Sequence, residues 1–307
     1  PMDAHGKVYL SFDLQASLEC LEAADRVIFE INPHIPRVFG ETALPIERAD
    51  YLYEAATPLP CAPVAPSSPI EKKIAENVVS LIRDGDCIQL GIGGMPNAVG
   101  EALTDKRDLG IHTEMITSSM GSLLRAGVVT NARKNFNTGK TIGAFAWGDQ
   151  PLYDYLKENT AVELRRAAWV NDPFQIAQND NMVSVNTAIQ IDLTGQVCSE
   201  SIGPRQFSGT GGASDFAYGA FHSKGGRGII ALASTAKNGT VSKIQPTLSP
   251  GAVVSISRNL VDYVVTEYGI AKLKNRTVRQ RVENLIAVAH PDFRADLRRQ
   301  ADALMLW

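Results

Sequence analysis

What this sequence lacks narrows its class before any motif is weighed. Its four cysteines, Cys20, Cys61, Cys87 and Cys198, lie far apart and form no C-x-x-C pair. That argues against a zinc or dithiol redox site and fits reduced thiols in a cytoplasmic protein. Its five histidines include no H-E-x-x-H, so no metal is implied. An excess of one charge is missing too. The 30 lysines and arginines stand against 33 acidic residues, a net charge of −3, which gives no footprint for nucleic acid or an anionic membrane. The longest apolar stretches, such as Ala252 to Ile256, fall far short of the ~20 residues that span a bilayer. No basic region followed by an apolar run opens the chain, so no secretory signal is expected. What is present is a chain of 307 residues, 44% hydrophobic and 21% charged, which suits about two domains with a sizeable core. Its opening, Pro1-Met2-Asp3-Ala4-His5-Gly6, is unlike a translation start and reads as the interior of an ordered domain; a fragment is expected.

The first sixty residues have a β-α-β rhythm: a strand at 8–12, helical periodicity over Leu14–Ala24 and a strand over Arg26–Ile31. Pro58, Pro60, Pro63, Pro66 and Pro69 then fall within twelve residues, a density that excludes helix and central strand. Residues 57–69 are therefore expected to be an extended linker between domains, with Ser67 or Ser68 capping the next helix. That helix spans Ile70–Ile82 and places Ile70, Ile74, Val78 and Leu81 or Ile82 on one face. Strands are expected over Cys87–Ile92 and at 110–116, 141–147, 162–170, 182–193, 228–233, 252–256 and 262–266. Helices are expected from Asn97 to Leu103 and at 151–157, 173–179, 277–289 and 292–305. Strands alternating with helices predict an open α/β sheet.

Four segments carry candidate chemistry. Leu90-Gly91-Ile92-Gly93-Gly94-Met95-Pro96-Asn97 follows a strand and opens a helix, with Pro96 in the first turn. Glycines there let a ligand approach the main chain, and free N–H groups at a helix start attract an anion. The Rossmann pattern fails, because Pro96 stands where its third glycine belongs, and no Walker lysine follows. A tight turn that binds nothing is the commoner meaning of such glycines. In Gly110-Ile111-His112-Thr113-Glu114-Met115, Glu114 lies in an apolar run at or just past a strand end. A partly desolvated carboxylate at that place suits a nucleophile or general base; an edge residue pointing to solvent or paired with an arginine is the bland alternative.

The third segment begins at Asn171-Asp172-Pro173, which simple helix capping would explain. Asn181 to Gln196 reads as strand, turn, strand. Beyond it, Ser208-Gly209-Thr210-Gly211-Gly212 suggests a second loop of main-chain donors, of the kind acyl transfer needs, although a ligand-free turn has the same composition. Glu200 is a rival carboxylate. Finally, Ser234 to Lys243 combines hydroxyls, Gly239, Lys237 and Lys243, fitting either a phosphate or pantetheine contact or a solvated hairpin.

Together the runs PMDAHG, LGIGGMPNAV, DLGIHTEM, VNDPFQIAQNDNMVSVN, IDLTGQVCSESIGPRQFSGTGG, STAKNGTVSKIQP, VDYVVTEYGIAKL and AHPDFR, in that order, resemble the acetyl-CoA hydrolase/transferase family. The likeness is strongest to its 4-hydroxybutyrate and butyryl-CoA:acetate CoA-transferase branch. It implies two open α/β domains of the CoA-transferase (NagB/RpiA-like) type, with residues 1–62 the remnant of the first and 70–307 the second. It also implies a homodimer or larger assembly that uses acyl-CoA and a short-chain carboxylate without metal or redox cofactor. The family's nucleophile falls on Glu114, its main-chain oxyanion donors on Ile92 and Gly212, and its ordering asparagine on Asn171. Glu200 receives a structural role. Gly91, Gly93, Gly94, Pro96, Gly209, Gly211, Lys237 and Lys243 become candidate contacts of coenzyme A. One departure is Ala213, where many relatives carry glutamine, which bears on acyl preference. An acyl-CoA hydrolase, a non-catalytic CoA-binding protein and, more distantly, a nicotinamide dehydrogenase are the competing readings.

Overall fold

The computed structural model describes residues 1–62 and 66–306. Of the linker expected over 57–69, residues 63–65 lie outside the described residues, while 57–62 and 66–68 carry no regular structure. Ahead of it, β1 (Lys7–Tyr9) pairs antiparallel with β3 (Ala43–Pro45), and β2 (Ile28–Ile31) pairs in parallel with β4 (Tyr51–Glu54). The helix α1 covers only Ser17–Ala23.

Past that stretch, Ser68 caps α2 (Pro69–Val79) through a capping box with Glu71, in which the Glu71 N–H donates to the Ser68 hydroxyl and the Ser68 N–H to the Glu71 carboxylate. Ile74, Ala75 and Val78 are buried as the periodicity requires. Ile70, expected on that face, is 47% exposed because it occupies the first turn, ahead of the residues that meet the sheet.

The remaining elements alternate. The strands β5 (Cys87–Leu90), β6 (Gly110–Thr117), β7 (Thr141–Trp147), β8 (Val162–Leu164) and β9 (Met182–Asn186) are interleaved with α3 (Gly94–Ala102), α4 (Ser118–Arg125), α5 (Gln150–Leu156), α6 (Ala167–Val170) and α7 (Pro173–Ala177). Short strands follow: β10 (Gln190–Asp192), β11 (Val197–Cys198), β12 (Ser201–Ile202) and β13 (Arg205–Gln206). Next come α8 (Ala213–His222), β14 (Arg227–Ala231), the hairpin β15 (Thr235–Ala236) with β16 (Val241–Ser242), and β17 (Ile244–Gln245). The chain closes with β18 (Tyr263–Thr266), β19 (Gly269–Lys272), α9 (Val278–Val288) and α10 (Pro291–Ala303). Eight strands form one sheet in the order β19-β18-β14-β9-β5-β6-β7-β8. Every pairing in it is parallel except β18 with β19. The open α/β class is as expected.

Three local expectations are corrected. The strand foreseen over 162–170 stops at Leu164, and its alanine-containing second half winds into α6, closed by the Asn171 N–H donating to Ala167 O. The stretch 182–193 is not one strand: as the strand-turn-strand reading of Asn181 to Gln196 has it, it breaks into β9, in the main sheet, and β10, in a separate three-stranded sheet with β11 and β17. Residues 252–256 form no strand; Ile256 makes only an isolated bridge to Val197. Both α4 and α8 begin beside glycines or hydroxyl residues that resemble loop, and packing makes them helices: Met120, Leu123, Phe216 and Ala220 are buried.

Candidate active site

The sheet creates the site before any side chain does. From β5 the chain builds outward through β6, β7 and β8, then returns to place β9 on the other side of β5. Such a reversal of strand order leaves a crevice at the carboxyl ends of the strands. Register widens it. β5 stays with β9 along Cys87–Leu90, but meets β6 only at Cys87↔Gly110 and Ile88↔Ile111. Beyond Ile111 the two strands part, while β6 remains paired with β7 as far as Thr117.

Glu114 sits in that gap, within β6 and not past its end, and is partly exposed between buried Thr113 and Met115. It borders a cavity of about 360 Å³ lined by Gly91 and Ile92 after β5, Asn186 and Thr187 at the end of β9, Glu200, and the loop from Ser208 to Gly212. The Gly212 N–H donates to Glu114 Oε2 at 3.2 Å. A Cβ at Gly212 would collide with the carboxylate and lie 2.7 Å from Asn171 Nδ2, so this close approach needs glycine. Asn171 ends α6, and its Oδ1 is buried with no hydrogen-bond partner among the described residues. Asp172 is the helix cap that the bland reading foresaw, accepting from the Phe174 N–H at 2.9 Å.

Two further groups reach Glu114 that sequence reasoning did not single out. Gln15 Nε2 donates to Glu114 Oε1 at 3.4 Å. β8 covers only Thr141–Gly143 of β7, and residues 12–14 take over the free edge: Leu14 N–H donates to Ala144 O, and Ala146 N–H to Phe12 O. Because α1 starts at Ser17, Gln15 lies in a turn with its N–H held by Asp13 Oδ1. Its only sequence signal is a polar residue in a run that reads as helix. Asp215, in the first turn of α8, has its carboxyl pushed above the usual range by burial, then by the charges of Glu114 and Asp172.

The other candidates divide. Gly209 and Gly211 line the same cavity, and among the described residues no hydrogen bond engages the Ile92 N–H. Gly93, at φ 117°, lines an adjoining cavity of about 570 Å³ that shares Ile92 and Met115 with the first. Gly94 and Pro96 open α3 and line neither cavity. Lys237 is exposed on the β15–β16 hairpin. Burial lowers the pKa of Lys243 against the pull of Glu267; neither lysine lines the Glu114 cavity. Among the described residues no group of three His, Cys, Asp or Glu could hold a metal ion, and no helix is long and apolar enough to cross a membrane.

A carboxylate facing a glycine N–H, with a second unengaged N–H on the same cavity, can attack an acyl carbon and stabilise the resulting oxyanion. Comparison with known proteins points the same way. Residues 148–301 match the model of the acetyl-CoA hydrolase/transferase C-terminal domain, a segment holding Asn171 and Gly212 but not Glu114. The chain is 47% identical to succinyl-CoA:cyclohexane-1-carboxylate CoA transferase of Geobacter metallireducens, over 98% of this chain and 69% of that protein. It is 49% identical to 4-hydroxybutyrate coenzyme A transferase of Clostridium kluyveri, over 90% of this chain and 64% of that protein. The crystal structure of RipA from Yersinia pestis superposes with a TM-score of 0.95 at 42% identity, covering 100% of this chain and 70% of that one. The chain thus spans about two thirds of the length of the curated relatives it matches.

Proposed function

The chain belongs to the acetyl-CoA hydrolase/transferase family, and from that premise we propose that it moves coenzyme A between a short-chain acyl-CoA and a free carboxylic acid, with Glu114 as nucleophile. The acyl groups in view are acetyl, butyryl and 4-hydroxybutyryl. The observation that carries this reading is the Gly212 N–H 3.2 Å from Glu114 Oε2, in a cavity that Ile92 also lines.

A carboxylate in bulk water is a poor nucleophile because its hydration shell blocks attack. Gly212 and Gln15 replace part of that shell and aim both oxygens. Holding the thioester beside Glu114 can remove roughly 7–11 kcal/mol of the barrier through orientation. A Glu114 oxygen adds to the thioester carbon, and the new oxyanion is met by the Gly212 and Ile92 N–H groups. The C–S bond then breaks, releasing CoA thiolate and leaving a mixed anhydride. The thiolate adds to the Glu114 carboxyl carbon, the first acid leaves as its carboxylate, and Glu114 becomes a glutamyl-CoA thioester. A second carboxylate runs the same steps in reverse. Ping-pong kinetics follow. Asn171 orders the carboxylate, and the glycines around Ile92 and Gly212 form the walls along which the coenzyme runs.

The same reading places residues 1–62 in a first α/β domain and 70–307 in a second. Support comes from the two-stranded parallel pair β2–β4, whose Ile28, Tyr51, Leu52 and Tyr53 are all exposed; so small a pair is marginal unless its sheet continues. Assembly as a homodimer and a cytoplasmic location complete the proposal, and size-exclusion chromatography with light scattering tests the former.

The full-length protein incubated with acyl-CoA and then borohydride should carry a reduced adduct that peptide mapping places on Glu114. Turnover should require a second acid such as acetate. Acyl-CoA consumption at the same rate without any acid would make the protein a hydrolase, with water reaching the partly exposed Glu114. An adduct on another residue would overturn the assignment.

A further inference from the structure

His112 lies two residues before Glu114 on β6, so the two side chains leave the same face of the sheet. It is fully buried, and nothing in the acyl-transfer steps uses it. Its environment is nonetheless specific. Nε2 lies 2.8 Å from Val170 O, and a carbonyl only accepts, so Nε2 carries the hydrogen. Nδ1 is then bare and accepts from Asn179 Nδ2 at 3.4 Å, an amide that is itself fully buried and also donates to Ile176 O. The tautomer is set from both ends. Burial pushes the His112 pKa down to about 3, with Lys134 pressing the same way, so the ring stays neutral at physiological pH.

The ring meets both elements that close on Glu114. Val170 is the last residue of α6, and Asn171 follows it. On another side, the Phe216 ring centroid is 6.2 Å away in an edge contact, and Phe216 is fully buried in the α8 helix that Gly212 caps. Trp169 flanks the imidazole at 5.9 Å. The end of α6, next to Asn171, and α8, which Gly212 caps, thus both contact one side chain of the strand that carries Glu114.

We propose that His112 is a positioning residue of the acyl-transfer site, a neutral Nε2–H imidazole that holds the α6 end and the α8 start so that Asn171 and Gly212 converge on Glu114. This rests on the transferase reading above. Replacement by leucine keeps the bulk and removes both hydrogen bonds, whereas His112→Gln keeps a donor for Val170 and an acceptor for Asn179. In the full-length protein, His112→Leu should lower kcat about 100-fold, as a misplacement near 1 Å can, with KM for acyl-CoA little changed. His112→Gln should recover most of that loss. In the wild type, nitrogen NMR of labelled histidine should show one neutral tautomer with bare Nδ1 that persists at pH 5. A folded His112→Leu protein with wild-type kcat, or a wild-type His112 that charges near pH 6.5, would overturn the proposal while leaving the Glu114 adduct intact. Loss of the adduct from the wild type would instead remove the transferase reading itself.

Discussion

Two glutamates border the same cavity, and their surroundings differ in kind. Glu114 stands in a long strand that has parted from one neighbour, and its two oxygens accept from Gly212, 98 positions away, and Gln15, 99 positions away. Glu200 stands in the turn between β11 and β12, and what the fold uses there is its main chain: Glu200 O accepts from the N–H groups of Phe207 and Ser208. No hydrogen bond or ion pair holds its side chain among the described residues. Both carboxylates are partly exposed, and of the two only Glu114 is aimed by hydrogen bonds to its side chain. Glu200 shapes the loop that delivers Gly212.

That contrast can be broken in order of severity. Glu114→Ala should abolish the borohydride adduct and cut turnover by about 10⁵-fold or more, the scale of lost intramolecular orientation. Glu200→Ala should leave the adduct in place; its disappearance would exchange the two roles. Gly212→Ala keeps the N–H but puts a methyl group where the carboxylate lies, and kcat should fall about 100-fold, the scale of a misplacement near 1 Å. If Gly212→Ala changed KM alone, the close approach of residue 212 to Glu114 would serve binding and not the transition state. Gln15→Ala removes one hydrogen bond to a charged group, and a drop in kcat/KM of about 10-fold is expected, with the adduct retained.

The smallest effect concerns stability. Asp215 has a folded-state pKa raised by burial and by the negative charges of Glu114 and Asp172. Its folded form therefore binds the proton more tightly than the unfolded chain does, and stability is lost as pH rises through the folded pKa. Asp215→Asn should raise Tm at pH 7 by roughly 1–3 °C. The gain should fade in acid, as the wild-type carboxyl becomes neutral. Thermal scans at pH 4.5 and pH 7 check this; an equal gain at both would show that charge is not the cause.

The amino-acid sequence alone carried the open α/β class, a serine cap at 67 or 68 for α2, the glycine turn after β5 and an apolar strand around Glu114, which it put at or just past the strand's end. Each follows from patterns only a few residues long: apolar period, capping chemistry, a glycine where the main chain must stay bare. It misread the chain where one local pattern serves two structures. Residues 162–170 are apolar enough for a strand, but their second half packs as α6, and α8 grows from glycines that read as loop.

Tertiary structure decided everything that depends on which segments meet. The parting of β5 from β6, the free edge of β7 taken by residues 12–14, and the meeting of Gln15 and Gly212 on one carboxylate have no local signature. The physical reason is that a hydrogen bond across about 100 residues is set by strand order and register, which arise from burying the whole sheet at once.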